Sequence, residues 1–507
     1  MIQRTESEFR SPNASNHEMG DMTVDSPRPR REVTSKKRKR RAKRRALRME
    51  GLEARQLLAA GLGTDFAHDI NPDLFAPVAA RNIGTVDAFQ FNEQEFATES
   101  GRNDSLQNAE LLPLGTGAGQ EDTIDVNGSM LFSQNLPGYT TTDIDTYAFD
   151  LRGGDILDLA VLGSSSNFTV FNPDGSIWFG TDTNQTGYPQ ASPLMTVGNA
   201  AGAQVVPEDG RYSVTLAPSL GSGNYTLGLR VYRPALESLP IGAQQVIYLD
   251  FDGGIYPTSN FAGIPQTGVI RFLGTTDSLN LLGIATPAPG DEDLIIDYVV
   301  QEVEEQLHSI ATNGTNGDFD STGIPGQYGV TVLNSRDHAE PGLTNPLDTR
   351  VQIGSEFGTN FVGLYGVSPS GDIGNFDPSE TVLAFLETNQ LGALTFPISP
   401  TQTQLNAVSQ QLAATVTHEV AHSFGMEHTE GNNFVETLAD EGSPSLDRYS
   451  QGVGNDGIFG TFDDITPGFN DDRFSLTENL FFGVQRVPAA LSHVLSTGKV
   501  GSTISGT

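Results

Sequence analysis

The sequence predicts a multidomain protein in which an all-β sandwich precedes an α/β domain. Three observations carry this expectation. From Glu99 to about Arg233 the chain runs through short β-rich segments, IDTYAFDL, DILDLAVLG, NFTVFN, RYSVTLA and YTLGLRVY, separated by Gly, Asn, Asp and Ser. Such punctuation without a helical period is that of a sandwich. Beyond residue 240 two long helical patterns appear, DEDLIIDYVVQEVEEQLHSIA (291–311) and QTQLNAVSQQLAATVTHEVAHSFGM (402–426). Strand-like runs lie between them, the alternation expected of an α/β sheet domain.

The 507 residues suit about three domains of ordinary size. The chain is 37% hydrophobic and has no run of eighteen apolar residues, so no integral membrane segment is expected. Charge is distributed unevenly. Residues 1–55 hold 16 of the 29 Lys and Arg, and residues 56–507 keep 13 basic against 55 acidic side chains, a balance of −42. A body this acidic repels phosphate backbones, so nucleic acid is not the expected partner. With no Cys in the chain, any metal must be held by histidine and carboxylate.

In chain order, residues 1–60 form a basic, disordered leader dominated by RPRREVTSKKRKRRAKRRALR (28–48). Its end, ALRMEGLEARQLLAA, resembles an N-terminal sorting segment found on exported and surface proteins of certain bacteria, and the resemblance implies export. Residues 61–97 lack periodicity and are expected to be a linker. Residues 98–233 form the sandwich. There the succession ESGRNDSLQNAELL, DIDTYAFDLRGGDILDLAV, FNPDGS, GRYSVTLA and NYTLGLRVY resembles the bacterial pre-peptidase C-terminal domain, an accessory module of secreted peptidases.

The α/β domain spans 240–485. VIYLDFDGG (246–254) reads as a buried strand, the pattern at 291–311 as an amphipathic helix with acidic residues in its first turn, and YGVTVLNS, RVQIGS, FVGLYGVS and TVLAFLE as further strands. Residues 486–507 are expected to be a C-terminal helix and tail. Within NLFFGVQRVPAALSHVL (479–495), Pro488 either kinks a helix or starts a new one, and His493 is expected to be structural or exposed.

Three of the eight histidines, His418, His422 and His428, fall within eleven residues. Four residues of helix turn through about 400° and rise about 6 Å, so His418 and His422 share a face one turn apart and can share one ion. A continued helix would carry His428 about 15 Å from His418 and about 80° off that face. Zn–N bonds are about 2.0–2.1 Å long, so a straight helix cannot supply all three ligands. Gly425 resolves this, because glycine readily adopts φ > 0 at a helix C-terminus and turns the chain back. Three neutral imidazoles leave a fourth position open, the pattern of a catalytic rather than a structural zinc site. Glu419 lies beside His418 and can take the proton from a water attacking a carbonyl.

HEVAHSFGMEH fits H-E-x-x-H-x-x-G-x-x-H at every fixed position, and so resembles the metzincin clan of zinc endopeptidases. A chance match in a chain of this composition has a probability on the order of 10⁻⁵, which sets the motif apart from an isolated histidine. The resemblance implies zinc on His418, His422 and His428 with Glu419 as general base. It also implies a metzincin-like zincin fold, with a mixed twisted sheet, an active-site helix and an irregular C-terminal subdomain. A protein or peptide substrate would lie extended along an edge strand within FVGLYGVS. Metzincins place a methionine beneath the zinc, whereas this chain has no Met after Met426; in NNFVETLADEG, Leu438 takes that position, a nearly volume-conserving exchange.

Further on, GNDGIFGTFDDITPGFNDDRF (454–474) is rich in Asp, Asn and Gly, with Asp456, Asp463 and Asp464 as candidate calcium ligands or as a solvated acidic loop. The function expected is that of a secreted or surface zinc endopeptidase. The alternatives are a catalytically weak metal-binding adhesion protein of the cell surface, and a nucleic-acid binder acting through the basic leader. Oligomeric state is left open by the sequence.

Overall fold

The computed structural model describes residues 87–94, 103–131, 143–185, 187–240, 243–257, 261, 269–283, 290–313, 327–341, 347–356, 364–442, 448–476 and 481–497. The chain divides into two units, Met1–Arg45 and Ala46–Thr507, and everything described belongs to the second. The basic leader, the sorting segment and residues 61–86 of the expected linker lie outside the described residues. The described chain is mostly β-sheet with few helices.

Ten strands occupy the first part: β1 Phe89–Asn92, β2 Glu110–Leu111, β3 Thr123–Met130, β4 Asp145–Leu151 and β5 Ile156–Gly163, then β6 Phe168–Phe171, β7 Ile177–Thr181, β8 Ala200–Val205, β9 Gly210–Leu216 and β10 Gly223–Tyr232. They form a β-sandwich. One sheet has the order β1-β3-β10-β5-β8. The other contains β7-β6-β9-β4-β2. Burial alternates along β9, where Tyr212, Val214 and Leu216 point inward and Arg211, Ser213 and Thr215 do not, as a strand with one covered face requires. Between the sheets, Ile124, Val126, Leu159, Val161, Leu227 and Leu229 meet Tyr147, Phe149, Phe168, Val170, Phe179 and Val214 in one core.

The second part contains β11 Gln245–Asp250, β12 Gly253–Pro257, β13 Val269–Leu273, α1 Thr275–Leu282 and α2 Asp291–Asn313. After these come β14 Gln327–Tyr328, β15 Val330–Asn334, β16 Asp348–Glu356, β17 Gly366–Val367 and β18 Thr381–Phe385. They are followed by α3 Leu386–Ala393, α4 Gln404–His422, β19 Asp472–Arg473, β20 Phe481–Gln485, α5 Val487–Val494 and β21 Ser496–Thr497. Strands β15, β11, β16 and β18 run parallel to one another. The short strand β17 pairs antiparallel with β18, and no other strand pairs with it among the described residues. The hairpin β12–β13 attaches to the far end of β16. Helices α2 and α4 share a core with the sheet through Ile295, Val299, Val303, Val408, Leu412, Val416, Val351 and Ile353.

Two expectations about organisation are corrected, and one choice left open is decided. The expected linker 61–97 contains β1, which pairs parallel with β3 and extends the sandwich; four residues are too few to show a period in sequence. Of the two alternatives at Pro488, the structure shows a new helix: 481–485 is the strand β20, and Pro488 lies in the first turn of α5, where its missing N–H costs nothing. The boundary between the sandwich (98–233) and the domain at 240–485 does not separate them in space. β20 pairs antiparallel with β7 of the sandwich and with β19, so the second sandwich sheet has the order β19-β20-β7-β6-β9-β4-β2. Ile156, Tyr188, Leu194, Ala203 and Val205 of the sandwich in turn belong to the core of the sheet-and-helix part.

Candidate metal centre

The site begins with the helix that carries it. Thr403 caps α4 by accepting from the Asn406 N–H (3.1 Å). From Ala407 to His422 every residue of α4 is buried, the pattern of a helix that runs through a core rather than over it. Two of its buried polar side chains are held by neighbouring helices: Tyr298 donates to Gln410 (3.0 Å) and Thr415 to Asn389 (2.7 Å).

α4 ends as the expected role of Gly425 requires, although earlier than residue 426. The Gly425 N–H donates to the His422 carbonyl (2.9 Å) and the Met426 N–H to the Ala421 carbonyl (3.0 Å), the paired bonds of a Schellman cap. Gly425 has φ +89°, and a Cβ there would lie 2.6 Å from the Ile373 Cα, so geometry and space both demand glycine. The turn sends the chain back, and His428 joins the two helical histidines.

The three rings converge through their Nε2 atoms. His422 Nε2 lies 3.1 Å from that of His418 and 3.1 Å from that of His428. Ring centroids are 4.7, 5.4 and 4.7 Å apart, and all three side chains are buried. Backbone carbonyls orient two of the rings, since His422 Nδ1 donates to the Met426 carbonyl (2.7 Å) and His418 Nδ1 to that of Leu438. A proton on Nδ1 leaves the Nε2 lone pair facing the shared centre. Lone pairs turned on one another at this range repel unless a cation lies between them. Two nitrogens bound to one tetrahedral zinc would be about 3.3 Å apart, so the donor set fits zinc in spacing and chemistry. Among the described residues, these histidines are the one group of three or more ligating side chains whose donor atoms come within 4.8 Å of each other.

Glu419 is fully buried and lies against β17. A Cβ on Gly366 would come within 2.4 Å of the Glu419 Cγ, so this strand approaches the carboxylate as closely as a glycine permits. Leu438, at the position expected for a methionine, is buried in the main core, and its carbonyl is the acceptor that orients His418. Behind this layer, Thr429 donates to Asp440 (2.9 Å), and burial pushes Asp440 up to about 7. Burial also raises Asp372 and Glu380, in the loop that follows β17.

The candidate calcium ligands do not converge. Asp456 accepts from the Ile458 N–H (2.7 Å), Asp463 from the Asp456 N–H (3.1 Å) and the Thr461 hydroxyl (2.8 Å), and Asp464 from the Gly460 N–H (2.7 Å). These carboxylates satisfy the turns of their own Gly-rich loop, the local use of Asp that competes with metal binding. His493 is buried near the Pro207 carbonyl (3.4 Å), and burial first, then Arg233, lowers it to about 3, which keeps it neutral.

Sequence reasoning overlooked several residues around the site. Gly366 left a signal, an isolated glycine in a strand pattern, which marks close backbone approach. Glu427, Gln185 and Gln485 left none. Gln185 Nε2 donates to Glu427 Oε1 (2.9 Å), and the Gln485 amide donates to the Glu427 carbonyl (2.7 Å) and accepts from its N–H (2.8 Å).

No protein-family model matches the chain, and no curated protein matches it in sequence. Among solved structures, PliG of Salmonella Typhimurium, a periplasmic inhibitor of g-type lysozyme, matches at 16% identity over 24% of this chain and 99% of its own, with a TM-score of 0.16. The pre-peptidase C-terminal domain of collagenase from Bacillus anthracis matches at 16% identity over 24% of this chain and 96% of its own, TM-score 0.16. IMPa from Pseudomonas aeruginosa, solved with an O-glycopeptide, matches at 12% identity over 59% of this chain and 37% of its own, TM-score 0.12. At these TM-scores the likenesses carry no weight for function. No helix of the described residues is long and apolar enough to cross a membrane.

Proposed function

We propose that the protein is an exported zinc-dependent endopeptidase of metzincin type, acting at the cell surface or outside the cell on protein or peptide substrates. The observation that carries this reading is the convergence of three buried Nε2 atoms at the end of a helix whose next residue after the first ligand is a buried glutamate. His418, His422 and His428 would hold the zinc. When bound, zinc supplies Lewis acidity, polarising a carbonyl oxygen and lowering the pKa of a water. Glu419 takes the proton from the attacking water and returns it to the leaving amine. Among the described residues β17 pairs only with β18, and its other edge would take an extended peptide by strand addition beside the base.

The parallel strands, the antiparallel edge strand β17 and the helix α4 support a metzincin-like zincin domain with Leu438 in place of the methionine. The order of motifs in 98–233 supports a sandwich of pre-peptidase C-terminal type, and the segment ALRMEGLEARQLLAA supports export.

The test uses the full chain. Expected are one zinc per molecule by metal analysis and cleavage of an unfolded protein, abolished by a chelator and restored by added zinc. A preparation that cuts equally well without metal would overturn the reading, and one that holds zinc but cuts nothing would favour a metal-binding surface protein. Gly366→Ala is expected to displace Glu419 and lower kcat about 100-fold while zinc content stays unchanged. An unaltered kcat would show that β17 does not position the base.

A further inference from the structure

His418 and His422 are placed by the regular geometry of one helix; His428 lies beyond the cap, where no local periodicity determines its position. Tertiary contacts hold the segment around it. Its carbonyl accepts from the Ser475 N–H (3.0 Å), and the next residue, Thr429, donates from its N–H to the Ala439 carbonyl (2.7 Å). On the other side stands Glu427, fully buried, with Gln485 bridging both of its backbone groups and Gln185 on its carboxylate. Both glutamines are buried as well, at 2% and 1% exposed.

Their origin is what matters. Gln485 is the last residue of β20, the strand that completes the second sandwich sheet against β7. Gln185 follows β7 in the sandwich, where its own N–H donates to the Ala201 carbonyl of β8 (2.8 Å). The Gly371 N–H, in the loop following β17, also donates to the Gly187 carbonyl of the sandwich (2.9 Å).

We infer that the β-sandwich is a working part of the metal centre, with Gln185 and Gln485 acting through Glu427 as positioning residues for the ligand His428. The inference rests on the zinc reading above. The side chain of Gln485 matches a backbone donor and acceptor as a neighbouring strand would, fixing residue 427 in both translation and rotation. Gln185 supplies a buried donor to the Glu427 carboxylate (2.9 Å). Together they settle where His428 Nε2 stands relative to the two helical nitrogens before any metal arrives. Partners of this outer kind affect metal affinity about 10–100-fold.

The experiment measures zinc affinity of the full chain by chelator competition, and the visible spectrum of the cobalt-substituted protein, for the wild type, Gln485→Leu, Gln185→Leu and Leu194→Ala. Leu194→Ala removes a buried side chain at the same junction without touching Glu427, and so reports destabilisation alone. Gln485→Leu is expected to weaken zinc about 10–100-fold and Gln185→Leu about tenfold, with altered cobalt bands. Leu194→Ala should lower the unfolding temperature and keep its affinity within about threefold. If Gln485→Leu does not fold, Gln185→Leu decides by itself. Glutamine variants that bind zinc as the wild type does, or a Leu194→Ala that loses as much affinity as they do, overturn the inference. A wild type without zinc removes the zinc reading and this inference together.

Discussion

Glu419→Gln is expected to lower peptide hydrolysis about 1,000-fold, within the 10²–10⁴ that a general base contributes, while zinc content and unfolding temperature stay those of the wild type. Glutamine has the shape of glutamate, so the contact with Gly366 and the packing around the end of α4 survive. What it lacks is a site for the proton of an attacking water. Because Glu419 is fully buried, bulk solvent is poorly placed to substitute as base. Kinetics on an unfolded protein substrate, run beside metal analysis, separate the outcomes. Hydrolysis within tenfold of the wild type would remove Glu419 from the chemistry, and loss of zinc along with activity would make it a structural residue.

A chain beginning at Pro234, without the sandwich, is expected not to fold and not to bind zinc, as judged by near-UV circular dichroism, urea unfolding and metal analysis. Phe474 and Phe481 from the C-terminal segment are buried in the sandwich core, with Phe481 edge-on to Phe179 at 5.8 Å. Ile156, Tyr188, Leu194, Ala203 and Val205 are buried in the core of the sheet-and-helix part. At about 1.5–3 kcal/mol for each large apolar side chain returned to water, the loss is on the order of 10 kcal/mol, comparable to the whole stability of a typical domain at about 5–15 kcal/mol. The same cut removes Gln185 from Glu427 and leaves β20 without β7. A soluble fragment that unfolds cooperatively and binds zinc would instead show the sandwich to be a separable accessory.

Much of the candidate site was legible because it is local. A period of 3.6 residues puts His418 and His422 on one face of α4 whatever the rest of the chain does, and glycine at 425 takes φ +89°, a conformation costly for other residues. The sandwich strands from Asp145 to Tyr232 showed themselves for a similar reason: alternation and turn residues are properties of a few consecutive positions. Where one residue type serves two local purposes, composition left both open. Asp456, Asp463 and Asp464 look like metal ligands by composition, yet each accepts hydrogen bonds from its own loop.

The remaining features depend on partners far away in the chain. FFGVQ at 481–485 carries no mark that it pairs with β7 some three hundred residues earlier, and nothing in Gln185 announces a bond to Glu427. Pairing of this kind follows from which apolar faces find each other in the folded core, and that is decided by the whole molecule rather than by any window of sequence. The candidate ligands and the candidate base could therefore be picked out within eleven residues. The seat of His428, the contact of Gly366 with Glu419 and the joining of sandwich and sheet exist only once the long-range contacts have formed.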